Sequence, residues 1–243
     1  MADLGDLKKE LVAANRILGH EGILDAFGHV SVRHPENSGH FLLCRARSPE
    51  NVEVADVLEF DSEGELAGDA DVIPYVERFI HAGVYEARPD VLAVCHNHAI
   101  SFLPFSISRS ARLRATISAS RMLGDGVPVW DIADDFGGST DLLVRNMAQG
   151  RSLARVLGPG PAALMRGHGS VVAGSSLRQL TDRCLIMDRA ATAQLGAMTL
   201  GAERSFTEAE LAPHADLPAG ATADDRVWEY LLHRAGLTGP GLG

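Results

Sequence analysis

The sequence lacks any apolar run that could span a membrane. Its longest continuous apolar stretches are only a few residues, as in Val91–Cys95, whereas a membrane helix needs about 20. The first residues contain neither the basic segment nor the apolar segment of a secretory signal. We therefore expect a soluble, cytoplasmic protein that does not bind a membrane.

Cysteine and basic residues are also scarce. Three cysteines, Cys44, Cys95 and Cys184, form an odd and widely spaced set that is unlike a disulfide framework. Lys and Arg number 22 against 32 Asp and Glu, which gives a net charge of −10 without a basic run. Because phosphate contacts need clustered cations, we do not expect a nucleic-acid partner. A hydrophobic content of 46% over 243 residues is enough to bury a sizeable core.

Helical and strand-like apolar patterns alternate along the chain, which indicates a single α/β domain with flanking helices. Helical spacing covers residues 4–18, 76–85, 141–147 and 176–200. Strand-like runs cover residues 30–32, 41–44, 57–61, 91–95, 127–130, 162–165 and 171–173. We assign residues 1–206 to the domain. Residues 207–243 are assigned to a tail with a short helix that packs on the domain or on a neighbouring subunit.

Ten histidines are present, and three of them have the spacing of a metal site. His96 and His98 end a predicted strand, so their side chains share one face with Cα atoms about 7 Å apart. His168 lies between Gly167 and Gly169, which allow a tight turn. Three imidazoles with an open position are typical of a catalytic divalent-metal site. On spacing alone, these histidines could instead cap strand ends or pair with carboxylates.

Glu77 is the candidate acid/base beside this site. It falls in the predicted helix that precedes the strand carrying His96, where a carboxylate could exchange a proton with a substrate. Taken alone, Glu77 could equally be a solvated helix residue near Arg78. His81, one turn later on the same face, is assigned mainly to packing.

Four motifs, in this order and spacing, resemble the class II aldolase/adducin family over roughly residues 7–200. They are Gly28–Arg33, Glu77–His81, His96–His98 and Gly167–Gly169. The resemblance implies a three-layer α/β/α sandwich with a mainly antiparallel central sheet, and a homotetramer with active sites between subunits. It also implies one divalent ion per subunit (Zn, Mn or Fe) held by His96, His98 and His168, with Glu77 as the acid/base.

The resemblance also separates branches of the family. Its sugar-phosphate aldolases typically have a Ser-Ser pair before the catalytic Glu, where this chain has Tyr75 and Val76. They also have a Thr-Gly pair that is absent from residues 45–50, and usually Asn at the position of His29. A phosphate would therefore lose hydroxyl donors and meet bulky side chains. The pattern is more similar to the branch of decarboxylases and non-haem iron oxygenases that act on hydroxylated aromatic or pyridine carboxylates.

We therefore predict a metal-dependent lyase that decarboxylates a hydroxylated aromatic or heteroaromatic (di)carboxylate through a metal-stabilised enolate. The predicted substrate contacts are His29, Ser31, Arg45, Arg47 and Tyr75. Either arginine could clamp a carboxylate with two parallel bonds, or could simply form a surface ion pair.

Three alternatives remain open at this point. One is a non-haem iron oxygenase acting on a hydroxyphenylpyruvate- or mandelate-type acid. Another is an aldolase acting on an unphosphorylated hydroxy-carbonyl substrate. The third, a non-enzymatic adducin-like scaffold, is disfavoured because all of the ligand residues are present.

Overall fold

A seven-stranded sheet forms the centre of the protein. The computed structural model describes residues 3–68, 71–212 and 221–237. The strands are β1 (His29–Arg33), β2 (Phe41–Cys44), β3 (Val57–Phe60), β4 (Ala93–Asn97), β5 (Val129–Trp130), β6 (Ala162–Met165) and β7 (Gly169–Gly174). Their order across the sheet is β3-β2-β1-β4-β7-β6-β5. Neighbouring strands are antiparallel except for the parallel pair β5 and β6. The mainly antiparallel sheet is therefore confirmed, as a mixed sheet with one parallel edge strand.

Helices cover both faces of the sheet and complete the expected three layers. In the described residues they are α1 (Leu4–His20), α2 (Arg78–Ala87), α3 (Leu103–Ile107), α4 (Ile132–Phe136), α5 (Met147–Leu157), α6 (Leu177–Thr199), α7 (Glu208–Leu211) and α8 (Ala221–Arg234). Alternate residues of each strand enter one of two cores. On β4, for example, Cys95 packs into the core that contains α1, α6 and α8, and Val94 packs into the core that contains α2 and α5.

The C-terminal helix α8 packs on the domain within the same chain. Its buried residues Trp228, Leu231 and Leu232 join the core that α1 and α6 form. Residues 213–220 and 238–243 of the predicted tail lie outside the described residues. Among the residues that are described, no helix is both long and apolar enough to cross a membrane.

Residues 141–146 are not helical and α5 begins only at Met147, so the helix predicted over 141–147 was wrong. Two side chains bind nearby peptide N–H groups: Asp141 accepts from Leu143, and Asn146 accepts from Gln149 as the N-cap of α5. Such local bonds compete with helix formation. The helix α2 also begins later than the spacing predicts, which leaves Glu77 as the residue that precedes its first turn rather than a residue within it.

Helices α2 and α5 touch through their backbones at a glycine pair, Gly83 and Gly150. A Cβ atom on Gly150 would penetrate the carbonyl oxygen of Phe79, and one on Gly83 would penetrate the carbonyl of Gly150. Because rigid backbone lies on both sides, neither helix can move a side chain aside to make room. This contact fixes the first turn of α2, which directly follows Glu77.

We expect Gly150→Ala to destabilise the fold by about 1–3 kcal/mol, the usual cost of overpacking a closed contact. Gly196→Ala is the matched control. Gly196 lies in α6 with open space around its Cα, so alanine there should be neutral or stabilising by up to about 1 kcal/mol. Urea unfolding followed by circular dichroism measures both. Equal stability of Gly150→Ala and the parent would contradict the rigid contact.

Candidate active site

Strand pairing brings three of the predicted site histidines to one end of the sheet. His96 lies in β4 opposite His29 of β1, and His98 follows two residues later. His168 lies in the turn between β6 and β7. This turn needs both of its glycines: Gly167 has a φ of 64°, and a Cβ on Gly169 would overlap the carbonyl oxygen of Asn97. The glycines therefore let His168 approach the end of β4.

The three imidazoles and Glu77 form a compact cluster. The Nε2 atom of His98 lies 3.0 Å from that of His96 and 3.1 Å from that of His168. Glu77 Oε2 lies 3.4 Å from the Nε2 atoms of both His96 and His168. Ligand atoms at the corners of a tetrahedron with metal bonds of about 2.0–2.1 Å are about 3.3–3.4 Å apart. The cluster has the size of one metal coordination sphere.

Hydrogen bonds on the side of each ring that faces away from the cluster place the proton of each imidazole on Nδ1. The Nδ1 atom of His96 donates to the carbonyl of Ser170 at 3.0 Å, and that of His168 donates to the carbonyl of Leu142 at 2.9 Å. The Nδ1 atom of His98 donates to both carboxylate oxygens of Asp25 at 3.0 Å. All three Nε2 atoms then carry lone pairs that face one another, an arrangement that a cation relieves. These residues fit a divalent metal ion.

Glu77 is held as a carboxylate at this cluster. Its Oε1 accepts a hydrogen bond from the peptide N–H of Val144 at 3.0 Å, and its Oε2 faces the imidazoles. Burial raises the pKa of Glu77, but the positive charge of His96 and His168 in their protonated forms outweighs burial and leaves that pKa below its usual range. A cation bound in place of those protons would act in the same direction.

The loop before α5 closes over the site through its backbone. The carbonyl of Leu142 accepts from His168, and the N–H of Val144 donates to Glu77. Leu142 has a φ of 67°, an uncommon conformation for a residue with a Cβ atom, and in the described residues it is the one non-glycine residue with positive φ. Sequence reasoning missed this loop because it predicted a helix there. It also missed Asp25, which lies in an irregular segment before β1.

A second set of buried polar side chains lies behind the cluster. His29 Nδ1 is 2.7 Å from His81 Nε2, and His81 Nδ1 is 2.6 Å from Ser31 Oγ. Ser31 Oγ is 2.8 Å from the hydroxyl of Tyr85. Burial is the main cause that lowers the pKa of His29 below its ordinary value and that of His81 to about 3. His81 is buried, as packing requires, but it also makes hydrogen bonds through both ring nitrogens.

The cluster opens into a cavity of about 750 Å³. Glu77, His98 and His168 line its polar end. The remaining wall is largely apolar and includes Phe27, Ile73, Tyr75, Val76, Leu142 and Leu143. A cavity of this volume and composition is typical of a small-molecule site.

The predicted substrate residues divide into three groups. His29, Tyr75 and Arg47 line the cavity. Ser31 does not line it and contacts His81 instead. Arg45 does not line this cavity either, and bonds Asp56 at 2.5 Å.

Arg47 is also bound to Asp56, at 2.7 Å, so Asp56 pairs with both arginines. The structure thus shows the ion pairs that the sequence left as the alternative to a carboxylate clamp. Tyr75 is fixed against the same segment because its hydroxyl donates to the carbonyl of Arg47. The Asp56 pairs therefore hold one wall of the cavity in place.

The fold and the cluster agree with the family that the motifs indicate. Residues 9–195 match the sequence profile of the Class II Aldolase and Adducin N-terminal domain. The chain belongs to this family. Among solved structures, an L-fuculose 1-phosphate aldolase from Glaciozyma antarctica PI12 has the same fold, with a TM-score of 0.76 at 24% identity over 96% of this chain and 91% of that one.

The similar curated proteins include decarboxylases. "Decarboxylase tropJ" of Talaromyces stipitatus is 33% identical over 206 residues, which cover 80% of this chain and 77% of the relative. A 3,4-dihydroxyphthalate decarboxylase of Arthrobacter keyseri is 27% identical over 93% of both chains. These names confirm the predicted resemblance to the decarboxylase branch of the family, and the second of them names an aromatic dicarboxylate.

We expect Asp25→Asn to weaken zinc affinity by about 10- to 100-fold, because a carboxylate that orients a ligand histidine contributes about that much. Asp141→Asn is the matched control. It removes a negative charge from the cavity wall, whereas Asp141 contacts no histidine among the described residues; its bond with the Leu143 N–H is one that the Asn oxygen can keep. Competition with a chromophoric chelator measures both affinities. A similar change in the two variants would show that net charge, rather than the His98 contact, is responsible.

Proposed function

We propose that the protein is a metal-dependent decarboxylase of hydroxylated aromatic or heteroaromatic carboxylic acids. The observation that carries this proposal is the position of the cluster. Three imidazole nitrogens and one carboxylate form a compact cluster, of which Glu77, His98 and His168 line the polar end of a largely apolar cavity. A flat ring suits the apolar walls, and its polar substituents suit the cluster.

The wall next to Glu77 supports an unphosphorylated substrate. Tyr75 and Val76 precede Glu77, and both line the cavity. The hydroxyl of Tyr75 is already donated to the carbonyl of Arg47, so this wall offers a ring face and a branched apolar side chain. Neither group solvates a phosphate dianion, whereas both can pack against an aromatic ring.

The relatives support the substrate class. The Arthrobacter keyseri protein is named for 3,4-dihydroxyphthalate, a benzene ring with neighbouring hydroxyl and carboxylate groups. A substrate of this type could present one hydroxyl and one carboxylate to the cluster. Its ring would then lie between walls such as Tyr75 and Leu143.

A divalent ion held by His96, His98 and His168 would supply Lewis-acid stabilisation of the negative charge that develops on the substrate as carbon dioxide departs. Glu77 is the residue placed to move the proton. Its Oε1 is fixed by the Val144 N–H, while Oε2 faces the centre of the cluster. As a carboxylate it can accept the proton of the substrate hydroxyl at Oε2.

The same proton completes the reaction. When the bond between the ring and the carboxylate carbon breaks, its electron pair stays with the ring. Glu77 then gives the proton from Oε2 to the ring carbon that carbon dioxide has left, which restores the carboxylate. The net change is the replacement of one carboxylate by one hydrogen, with the hydroxyl proton recovered from water.

We also propose that the active form is a homotetramer with sites between subunits, as the family resemblance implies. Phe27 and Ile73 support this arrangement, since both line the cavity and are 73% and 79% exposed in the single chain. A neighbouring subunit would cover these apolar side chains.

The direct test is anaerobic release of carbon dioxide from 3,4-dihydroxyphthalate and related ortho-hydroxylated aromatic and pyridine acids. The protein is stripped of metal and reloaded separately with Mn²⁺, Zn²⁺ or Fe²⁺. We expect metal-dependent carbon dioxide without oxygen. Absence of carbon dioxide from every acid would contradict the proposal, and oxygen uptake in its place would favour the iron oxygenase.

Three variants connect this activity with Glu77 and with the metal site. We expect Glu77→Gln to keep its metal and to lower kcat by about 10²- to 10⁴-fold, because the amide cannot carry the proton. Glu86→Gln, on α2 but paired with Arg151 away from the site, should be unchanged. His98→Ala should lose both metal and turnover.

A further inference from the structure

The buried hydrogen bonds that link His29, His81, Ser31 and Tyr85 form a chain in which each group donates to the next. Tyr85 determines the direction of donation. Among the described residues, Ser31 Oγ is the hydrogen-bond acceptor that lies within reach of the Tyr85 hydroxyl. Tyr85 is 6% exposed and Ser31 is fully buried. A buried hydroxyl hydrogen without an acceptor is unfavourable. The hydroxyl of Tyr85 therefore donates to Ser31.

Each further bond in the chain follows from this one. Ser31 has a single hydrogen, and the acceptor that remains for it is His81 Nδ1, at 2.6 Å. The proton of neutral His81 then lies on Nε2 and is donated to His29 Nδ1 at 2.7 Å. His29 consequently carries its proton on Nε2. The reverse direction would leave the Tyr85 hydrogen without an acceptor.

The Nε2 atom of His29 is the ring nitrogen left for a ligand. His29 lines the cavity, and its ring lies 4.3 Å from that of Tyr75 and 5.3 Å from that of His96 between centroids. The register of β1 and β4 places it directly beside His96 on the same face of the sheet. Nearby, Glu77, His98 and His168 line the cavity and offer it lone pairs or negative charge rather than N–H groups.

We propose that His29 is a fixed hydrogen-bond donor, through its Nε2–H, to a carboxylate or phenolate oxygen of the substrate. His81, Ser31 and Tyr85 are positioning residues that keep the proton on that nitrogen. The identity of the substrate oxygen rests on the proposed function, whereas the position of the proton does not. The donor complements the cluster, because it offers a hydrogen on the side of the cavity where the other polar groups accept.

Neutron diffraction from deuterated crystals of the zinc-loaded protein tests the direction of the chain without any substrate. We expect deuterium on Tyr85 Oη, Ser31 Oγ, His81 Nε2 and His29 Nε2. Deuterium on His29 Nδ1 would overturn the proposal. In Ser31→Ala crystals, His81 loses the hydroxyl that fixes its proton, so the deuterium of His29 should divide between the two ring nitrogens. Full occupancy of Nε2 in that variant would rule out Ser31 and Tyr85 as positioning residues.

Kinetics with 3,4-dihydroxyphthalate test the donor itself. Gln places an amide N–H near the position of imidazole Nε2, whereas Leu fills a similar volume without a donor. We expect His29→Leu to lower kcat/KM by about 10- to 100-fold, as loss of a hydrogen bond to a charged oxygen does, and His29→Gln to recover most of it. Equal activity of the two variants would contradict the proposal.

The neutron and kinetic experiments distinguish a failure of the proposed function from a failure of the donor role of His29. If the wild-type protein releases no carbon dioxide from any acid, the proposed function is wrong, and the neutron experiment still decides the direction of the chain. If the wild-type protein is active but His29→Leu matches it, only the donor role is wrong. Zinc content, measured for each variant, separates either result from a loss of metal.

Discussion

Three imidazole nitrogens with no proton between them are the constraint on which the rest of the site depends. The Nε2 atoms of His98 and its two neighbours lie 3.0 and 3.1 Å apart, a spacing that repels unless a cation or a proton lies between them. Each proton is held on the outer nitrogen by an oxygen from a different part of the chain: Ser170 on β7, Asp25 before β1, and Leu142 in the loop before α5. The site therefore exists only when the sheet and both segments are in place.

The fold keeps this arrangement through contacts that tolerate little change. The backbone contact of Gly83 and Gly150 sets the start of α2 and so the place of Glu77. Gly169 lets the turn of His168 lie against the carbonyl of Asn97. Leu142 adopts an unfavourable φ, and its carbonyl accepts a hydrogen bond from His168 Nδ1. Such conformations persist where the surrounding structure fixes them, and they are common at functional sites. The stability of the fold and the geometry of the histidine cluster therefore depend on the same backbone contacts.

Much of the site could be predicted from sequence because it follows from local rules. The alternation of a strand places His96 and His98 on one face, and flanking glycines mark the turn of His168. The partners of these residues depend on tertiary contacts instead. Nothing local ties Asp25 to His98 across 73 residues, and the apolar spacing of residues 141–147 favours a helix that side-chain caps prevent. His81 could be assigned to packing from its helix face, but its hydrogen bonds require the register of β1 and the position of Tyr85. In the same way, sequence could not show that Asp56 pairs with both Arg45 and Arg47.

The most direct measurement of the central claim is anomalous diffraction from crystals soaked in zinc, recorded on both sides of the zinc absorption edge. Three Nε2 lone pairs that face one another predict one strong anomalous peak per subunit, bonded to the Nε2 atoms of His96, His98 and His168 at about 2.0–2.1 Å. The Nδ1 atom of each ring should keep its oxygen partner. Bonding through Nδ1, or zinc bound elsewhere with this cluster empty, would contradict it.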